Sequence, residues 1–265
     1  MPGTMSIPRT GPRLSAGVLT ADLTRLGDEL AILRGTGCWA HVDVMDGSFC
    51  PQLTVGPGFV TAVAAAGIPV DAHLLVDEPR RLLPDIVAAG PAVVTVHAEA
   101  TRHPHRTLQE LTALAAARPE PVLRGVAISP GTPVAAVEPL LELTDLVLVL
   151  AVDPGWPGQP PAANTRRRLA AVRSLAAEAG RPVMVGVDGG VTMANAAEIA
   201  GWGADVVVSG SAIYDGRDPA GNLDRMLARL STNPERSNDD QQRPGREDRG
   251  PAYPDEDHPD SGGGP

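Results

Sequence analysis

The sequence contains no lysine, and all 22 of its basic residues are arginines. This absence excludes mechanisms that need a Schiff-base lysine, a Walker-type phosphate-binding lysine or a lysine general base. Cysteine is nearly as scarce, because Cys38 and Cys50 are the only two. Two cysteines without C-x-x-C spacing are too few to staple 265 residues, so we expect both to be reduced and buried.

Long hydrophobic runs and an excess of positive charge are also missing. No stretch approaches the roughly 18 to 20 apolar residues of a membrane span, and residues 1–13 lack the apolar segment of a secretory signal. The formal net charge is -10, whereas nucleic acids and anionic membranes attract basic surfaces. We therefore expect a soluble, cytoplasmic protein with no nucleic acid and no membrane among its partners.

Composition divides the chain into three parts. Residues 1–13 are predicted to form a flexible N-terminal segment. Residues 14–230 repeat a short β-type run, a turn and an Ala/Leu/Arg-rich helical stretch, which indicates a single folded domain. Residues 231–265 are rich in Pro, Gly, Asp and Arg and nearly devoid of aliphatic side chains. They cannot bury enough apolar surface to offset the entropy of ordering, so we predict a disordered acidic tail.

The middle part alternates strand patterns with helix patterns. The strand candidates are 14–19, 39–45, 69–75, 92–97, 123–128, 145–152, 182–188 and 204–210. The helix candidates are 22–35, 57–66, 79–89, 104–118, 133–142, 164–180, 192–201 and 217–230. Eight such units over about 215 residues predict the α/β class and a closed (β/α)8 TIM barrel. A doubly wound open sheet is the alternative, but no G-x-G-x-x-G turn follows the first strand.

Polar residues gather where the predicted strands end, and in a barrel these ends line the active-site mouth. His41 and Asp43 share one face of their strand, as Asp71 and His73 do, because alternate strand residues point the same way. A histidine in a strand is often structural, and an aspartate at a strand end often caps a helix. Here His41, Asp43, His73 and Asp188 converge from three strands, which favours one divalent ion such as Zn, Fe, Mn or Co.

The remaining histidines have less certain roles. For His97, with Glu99 two residues later, a structural role and a role in supporting a metal ligand both stay open. His103 and His105 stand at the start of a predicted helix, where we expect them to face solvent. His258 lies in the predicted tail, and we expect it to face solvent as well.

Glycine-rich stretches follow the last two strands: VDGGV at 187–191 and SGSAIY at 209–214, each ahead of a helix. Barrels commonly hold a phosphate there, through backbone N–H groups and a helix N-terminus. Gly189, Gly190 and Gly210 let the backbone approach an anion without a Cβ in the way. Ordinary βα turns are the alternative.

A third stretch, DPGWPGQPP at 153–161, is too rich in Pro and Gly for a helix or a strand. It could form a lid over the mouth, because a plain surface loop would have no need of Trp156. We call it the lid segment.

Eight motifs occur in an order that resembles the ribulose-phosphate 3-epimerase family over about residues 14–217. They are LTADL, HVDVMDGSFCPQLTVGP, VDAHLL, TVHAEAT, ISPGTP, VDPGWPGQ, VGVDGGV and VVSGSAIY. The resemblance implies an isomerase of the pentose phosphate pathway and a (β/α)8 fold. It also implies a sugar phosphate substrate and assembly into homo-oligomers.

The resemblance also implies residue roles. The implied metal ligands are His41, Asp43, His73 and Asp188, with Asp43 and Asp188 as the acid/base pair. One aspartate removes the C3 proton of a ketose phosphate, the metal stabilises the cis-enediolate as a Lewis acid, and the other aspartate protonates the opposite face. The implied substrate and phosphate contacts are His73, Gly155, Trp156, Pro157, Gly158, Gly189, Gly190, Gly210 and Ser211. The implied substrate wall is Met45, Leu75 and Leu150.

Parts of the substrate wall depart from the family pattern. Gly17 stands in place of a serine, Ser129 and Asp153 in place of asparagines, and Pro157 in place of a glycine. Losing the serine hydroxyl removes a hydrogen bond of about 0.5–1.5 kcal/mol. The reaction type is therefore expected, while the sugar stays open between a ketopentose phosphate and another ketose phosphate such as a hexulose 6-phosphate. A non-catalytic sugar-phosphate-binding paralogue is the third possibility, and the intact pair of aspartates counts against it.

Overall fold

The computed structural model of the chain describes residues 11–156 and 158–231. The strands are β1 Arg13–Gly17, β2 Trp39–Met45, β3 Val70–Leu75, β4 Val93–His97, β5 Leu123–Ile128, β6 Leu146–Leu150, β7 Met184–Asp188 and β8 Val206–Ser209. They are parallel and close into a barrel in chain order, with β1 bonded to both β2 and β8. The predicted (β/α)8 TIM barrel is confirmed, and the open sheet is wrong because the last strand bonds to the first.

Helical segments connect the strands. The α-helices in the described ranges are α1 Leu26–Ala31, α2 Pro57–Ala65, α3 Leu83–Ala88, α4 Pro104–Ala116, α5 Thr165–Glu178, α6 Ala196–Gly201 and α7 Pro219–Ser231. Short 3₁₀ helices cover Val18–Thr20, Leu23–Arg25, Pro79–Arg81, Ala98–Ala100 and Val134–Leu143. The last of these occupies the position of the predicted α-helix 133–142. Pro139 lies inside it, and an internal proline removes a backbone donor and clashes with the preceding turn.

The barrel interior is built in layers. Trp39, Val93, Leu146 and Val206 are the first residues of β2, β4, β6 and β8, and they form one buried apolar cluster. Such a layer of four side chains from alternate strands is typical of a TIM barrel. Two and four residues further along β2, the same inward face presents His41 and Asp43. This apolar layer, which we call the apolar floor, therefore fills the barrel interior below the polar side chains.

The residues between them point outward. Ala40, Val42 and Val44 of β2 belong to the main core cluster, which also contains Val60 and Val63 of α2. Fully burying a valine or leucine contributes about 1.5–3 kcal/mol. The alternation in HVDVMDG thus places apolar residues under the helices and the reactive residues inside the barrel.

The predictions on the chain ends, the cysteines and membrane spans can be compared with the structure. The N-terminal segment up to residue 10, Pro157 and the tail from residue 232 lie outside the described residues. Arg13 already belongs to β1, and Ser231 ends α7. Cys38 and Cys50 are both free and buried, as expected. None of the helices in the described ranges has the length and apolar character that crossing a membrane requires.

Candidate active site

Four side chains selected from the sequence converge at the C-terminal end of the barrel. His41 and Asp43 project from β2, His73 from β3, and Asp188 is the last residue of β7. Asp43 and His73 are partners in the β2–β3 register, which sets them side by side. One ligand atom from each of the four residues lies within 4.8 Å of the others. The cluster could therefore hold a metal ion.

The spacing of these atoms suits one divalent ion. Oδ1 of Asp43 lies 3.1 Å from Nε2 of His41 and 2.9 Å from Nδ1 of His73. Oδ2 of Asp188 lies 3.8 Å and 3.7 Å from the same two nitrogens. Ligands about 2.1 Å from a tetrahedral ion are about 3.4 Å apart. Two imidazoles and two carboxylates form a mixed N/O donor set of the kind that Zn, Fe, Mn and Co accept.

His41 is held by a carboxylate on the side away from the cluster. Its Nδ1 donates to Oδ2 of Asp71 at 2.8 Å, and the same oxygen accepts from the Ser15 hydroxyl at 2.8 Å. All three side chains are buried. Because Nδ1 is engaged as a donor, Nε2 is the nitrogen left to ligate. Asp71 therefore orients a metal-ligand candidate, a role that the sequence analysis missed although Asp71 shares a face with His73.

The surroundings push the pKa values of the two carboxyl groups apart. Burial alone would raise the pKa of Asp43, but the imidazoles of His41 and His73 hold that pKa well below its usual range. Burial raises the pKa of Asp188, and the negative charge of Asp43 adds to the rise. Two carboxyl groups of different proton affinity in one site are the arrangement expected of an acid/base pair.

The two imidazoles also differ. Burial lowers the pKa of His73, which keeps this ring neutral and able to ligate. Burial would lower the pKa of His41 too, but Asp71 and Asp43 raise it well above its usual value. A metal ion that binds His41 therefore displaces a proton.

His97 extends the cluster beyond His73. Its Nε2 lies 3.0 Å from Nε2 of His73, and Glu99 lies 3.1 Å from its Nδ1. The role left open for His97 is thus resolved in part, because the ring contacts a metal-ligand candidate directly. His103 and His105 are exposed, as expected, while His258 lies outside the described residues.

The predicted phosphate glycines lie at the same end of the barrel. Gly189 and Gly190 follow β7 with φ of 108° and 69°. A Cβ on Gly189 would lie 2.6 Å from Val152, so only glycine fits. Their relation to the helices differs from the prediction, because α6 begins only at Ala196 and α7 only at Pro219. In the first case Thr192–Asn195 forms a turn instead, closed by a 2.7 Å bond from the Thr192 N–H to Oδ1 of Asn195.

A cavity of about 550 Å³ opens among the loops that follow the strands, and Glu99 of its lining contacts His97, the neighbour of His73. It is lined by Phe49, Glu99, Ser129, Asp153, Pro154, Trp156 and Gln159. Trp156 keeps 54% of its surface exposed. A Cβ on Gly155 would lie 2.8 Å from Pro51, so the lid segment approaches the loop after β2 closely at this glycine.

The predicted substrate wall brackets the cluster. Met45 and Leu75 are register partners at the ends of β2 and β3. Leu150 is the register partner of Asp188 and belongs to a small buried cluster with Leu148.

A model described as the ribulose-phosphate 3 epimerase family matches residues 13–214. The chain belongs to the ribulose-phosphate 3-epimerase family. The resemblance found in the motifs is thereby confirmed. The prediction of an isomerase acting on carbohydrates is confirmed as well, because the relatives are named as epimerases.

Individual relatives agree over most of the chain. Ribulose-5-phosphate-3-epimerase, chloroplastic, of Arabidopsis thaliana is 39% identical over 211 residues, covering 78% of this chain and 73% of that protein. Ribulose-phosphate 3-epimerase of Escherichia coli strain K12 is 36% identical over 221 residues, covering 82% and 96%. The solved structure of KGPDC from Streptococcus mutans has a TM-score of 0.62 at 14% identity, covering 83% and 97%. This last likeness shows the fold alone.

The positions at which this epimerase-family chain departs from the family pattern can be placed. Gly17 ends β1 against β8: a Cβ there would lie 3.0 Å from Cα of Gly210, so a serine would require a shift of the backbone by a few tenths of an ångström. Ser129 and Asp153 line the cavity. Gly17 thus lies at the β1–β8 junction and Ser129 and Asp153 at the cavity, while Pro157 lies outside the described residues. None of the four positions is a metal-ligand candidate.

Sequence reasoning missed Arg168. This arginine of α5 is 5% exposed, and its guanidinium donates to the carbonyl oxygens of Leu150, Ser129 and Thr132 at 3.0, 2.6 and 3.2 Å. It ties the end of β6 to the loop after β5. The available signal was its position four residues before the buried Val172, which puts it on the apolar face of the helix.

Proposed function

We propose that this protein is a metal-dependent 3-epimerase that interconverts D-ribulose 5-phosphate and D-xylulose 5-phosphate. The observation that carries the proposal is the cluster of Asp43 and Asp188 with two imidazoles, all within 4.8 Å. The opposite pKa shifts of the two carboxyl groups support acid/base roles. Family membership supports the reaction type.

The aspartates perform the proton transfers. The C3 proton of a 2-ketose is acidified by the neighbouring carbonyl, so one carboxylate can remove it and give a cis-enediolate. The other carboxyl then returns a proton to the opposite face, and the two roles exchange in the reverse reaction. Each positioned transfer contributes about 10²- to 10⁴-fold. A divalent ion held by His41, Asp43, His73 and Asp188 would supply Lewis-acid stabilisation of the negative charge.

The remaining residues bind and enclose the substrate. The phosphate would accept hydrogen bonds from the backbone around Gly189, Gly190, Gly210 and Ser211. The wall of Met45, Leu75 and Leu150 would pack on the carbon chain. Gly155, Trp156, Pro157 and Gly158 of the lid segment would exclude water. His73 would also contact the substrate. None of these roles needs a lysine.

A coupled assay for xylulose 5-phosphate formation tests the proposal. We expect turnover of ribulose 5-phosphate that a chelator abolishes and a divalent ion restores. Asp43→Asn and Asp188→Asn should each lower kcat at least about 100-fold. The control is Asp224→Asn on the exposed side of α7, which should retain wild-type kcat. Full turnover by both active-site variants would contradict the mechanism.

The same assay decides the sugar. Ser129 and Asp153, two of the expected departures from the family pattern, line the cavity, so a longer ketose phosphate is tested beside the pentulose. Higher kcat/KM for a hexulose 6-phosphate than for ribulose 5-phosphate would reassign the substrate. Tight binding of either compound without turnover would indicate a sugar-phosphate-binding paralogue.

The proposal extends to cellular context. We propose a cytoplasmic enzyme of the pentose phosphate pathway that assembles as a homo-oligomer, with neither nucleic acid nor membrane as a partner. Light scattering coupled to gel filtration measures the assembly, and a monomer at micromolar concentration would contradict that part.

A further inference from the structure

His73 is anchored differently from His41. On the cluster side, its Nδ1 lies 2.9 Å from Asp43. On the far side, its Nε2 meets a second imidazole, Nε2 of His97, at 3.0 Å. The anchor of His41 is instead a carboxylate, that of Asp71. An imidazole can donate or accept, so the contact between His73 and His97 does not by itself decide which ring carries the hydrogen.

Glu99 decides this question. Its Oε2 lies 3.1 Å from Nδ1 of His97. Burial alone would raise the pKa of Glu99, but hydrogen bonds from His97 and Thr132 lower it to about 2, so it is a carboxylate at neutral pH. A carboxylate only accepts, so Nδ1 of His97 carries the hydrogen. The other nitrogen of His97, Nε2, faces Nε2 of His73 and is the one placed to accept from it. A metal ion held at Nδ1 of His73 would need the lone pair of that nitrogen in place of its contact with Asp43, so the hydrogen of His73 would lie on Nε2 and be donated to Nε2 of His97.

The far end of this chain is fixed in place. Oε1 of Glu99 accepts from the backbone N–H of Ser129 at 2.7 Å and from the hydroxyl of Thr132. Arg168 in turn holds the carbonyl oxygens of Ser129 and Thr132. The hydrogen bonds thus run from β3 through β4 to the loop after β5 and to α5.

Packing restrains the rings as well. His73 and His97 are both fully buried and stack with centroids 5.0 Å apart and planes at 23°. Phe49 also packs on His97, with 4.7 Å between ring centroids and the planes at 48°. Neither ring has room to turn over without losing these contacts.

We propose that His97 and Glu99 are positioning residues that set the tautomer and the orientation of His73 as a metal ligand. The inference rests on the proposed function in that it takes the four-residue cluster as a metal site. Outer hydrogen-bond partners of ligating histidines typically change metal affinity about 10- to 100-fold. His97 and Glu99 therefore act on metal binding without touching the ion.

Zinc affinity, measured by competition with a chelating dye on metal-stripped protein, tests the proposal. His97→Leu removes the acceptor, and we expect zinc binding to weaken about 10- to 100-fold. His97→Gln keeps a carbonyl acceptor and should recover most of this loss. Glu99→Gln removes the charge that fixes His97 and should weaken binding to an intermediate degree. The control, His105→Leu, removes an exposed imidazole–carboxylate pair with Glu142 and should bind zinc as the wild type does.

A spectroscopic readout separates positioning from general damage. In zinc-loaded protein labelled with ¹⁵N-histidine, we expect hydrogen on Nδ1 of His97, which faces Glu99, and on Nε2 of His73, which faces His97. A hydrogen on Nε2 of His97 instead of on Nε2 of His73, or a His97→Leu variant within about twofold of wild-type zinc affinity, would overturn the proposal. If His97→Leu does not fold, Glu99→Gln and the wild-type spectrum still decide it. Wild-type protein that binds zinc but epimerises no ketose phosphate contradicts the proposed function alone.

Discussion

Asp43 and Asp188 illustrate, at the scale of single residues, how neighbours give two identical side chains different properties. The imidazoles around Asp43 lower its pKa, while burial raises that of Asp188. The sequence located both residues, because polar side chains at strand ends converge in a barrel. It could not predict the direction of either pKa shift, since each depends on side chains brought in from other strands. The hydrogen bonds of Asp71 and His97 could not be predicted from the sequence for the same reason.

Gly190 permits a prediction at this scale. Its φ is 69°, and a Cβ would lie 2.7 Å from the carbonyl oxygen of Gln159. Gly190→Ala should therefore lose about 1–2 kcal/mol of unfolding free energy for the left-handed backbone and a further 1–3 kcal/mol, roughly, for the overlap. Urea unfolding measures the loss.

Gly216 is the matched control. Its φ is 73°, but nothing lies within 4 Å of a Cβ there. Gly216→Ala should show only the backbone cost of about 1–2 kcal/mol. Equal losses in the two variants would mean that the close approach at Gly190 is absent in solution.

Among the secondary-structure elements, the helices were predicted less accurately from the sequence than the strands. The alternation of strand and helix patterns predicted every strand, because each short β-type run is followed by a turn and a stretch with helical spacing. The type of each helix and the residues at which it begins and ends were harder to predict. One predicted α-helix is a 3₁₀ helix with Pro139 inside it, and a turn at Thr192–Asn195 precedes α6, which begins later than predicted. Both effects are local choices of backbone hydrogen bond that apolar spacing does not report.

Arg168 permits a prediction about how the elements are held together. This one side chain of α5 contacts the end of β6 and the loop after β5. Arg168→Met would leave the buried carbonyl oxygen of Leu150 and the partly buried ones of Ser129 and Thr132 without this donor, and a buried acceptor without a partner costs about 1–3 kcal/mol. We expect a net loss of about 2–4 kcal/mol in urea unfolding. Arg167→Met, on the exposed side of the same helix, should change stability by less than about 0.5 kcal/mol. Similar values for both variants would contradict the clamping role.

The whole molecule combines a closed barrel with an acidic, lysine-free composition. The eightfold alternation of strands and helices, which predicts a closed barrel, is visible in the sequence. The pairing of β1 with β8, which closes the barrel, is visible only in the structure. The apolar floor and the polar layer above it explain why the metal-ligand candidates lie at one end only.

Stability against acid is a prediction at the scale of the whole molecule. The pKa of Glu99 is lowered from 4.5 to about 2 in the folded protein. A lowered pKa contributes stability that is present above the unfolded value and is lost as the pH falls from about 4.5 toward 2. Wild-type unfolding free energy should therefore fall through this range.

Glu99→Gln removes this group from the titration, so its unfolding free energy should fall less steeply over the same range. Urea unfolding at a series of pH values measures both slopes. Parallel curves for the two proteins would show that Glu99 does not have a lowered pKa.

Exchange of the substrate C3 hydrogen in deuterium oxide, followed by proton NMR, tests the central claim most directly. The account predicts that the wild type incorporates deuterium at C3 while it interconverts ribulose 5-phosphate and xylulose 5-phosphate. Asp43→Asn and Asp188→Asn should each exchange only one epimer without converting it, and the two variants should act on opposite epimers, because one carboxylate serves each face. Exchange of both epimers by either variant, or conversion without deuterium at C3, would contradict the account.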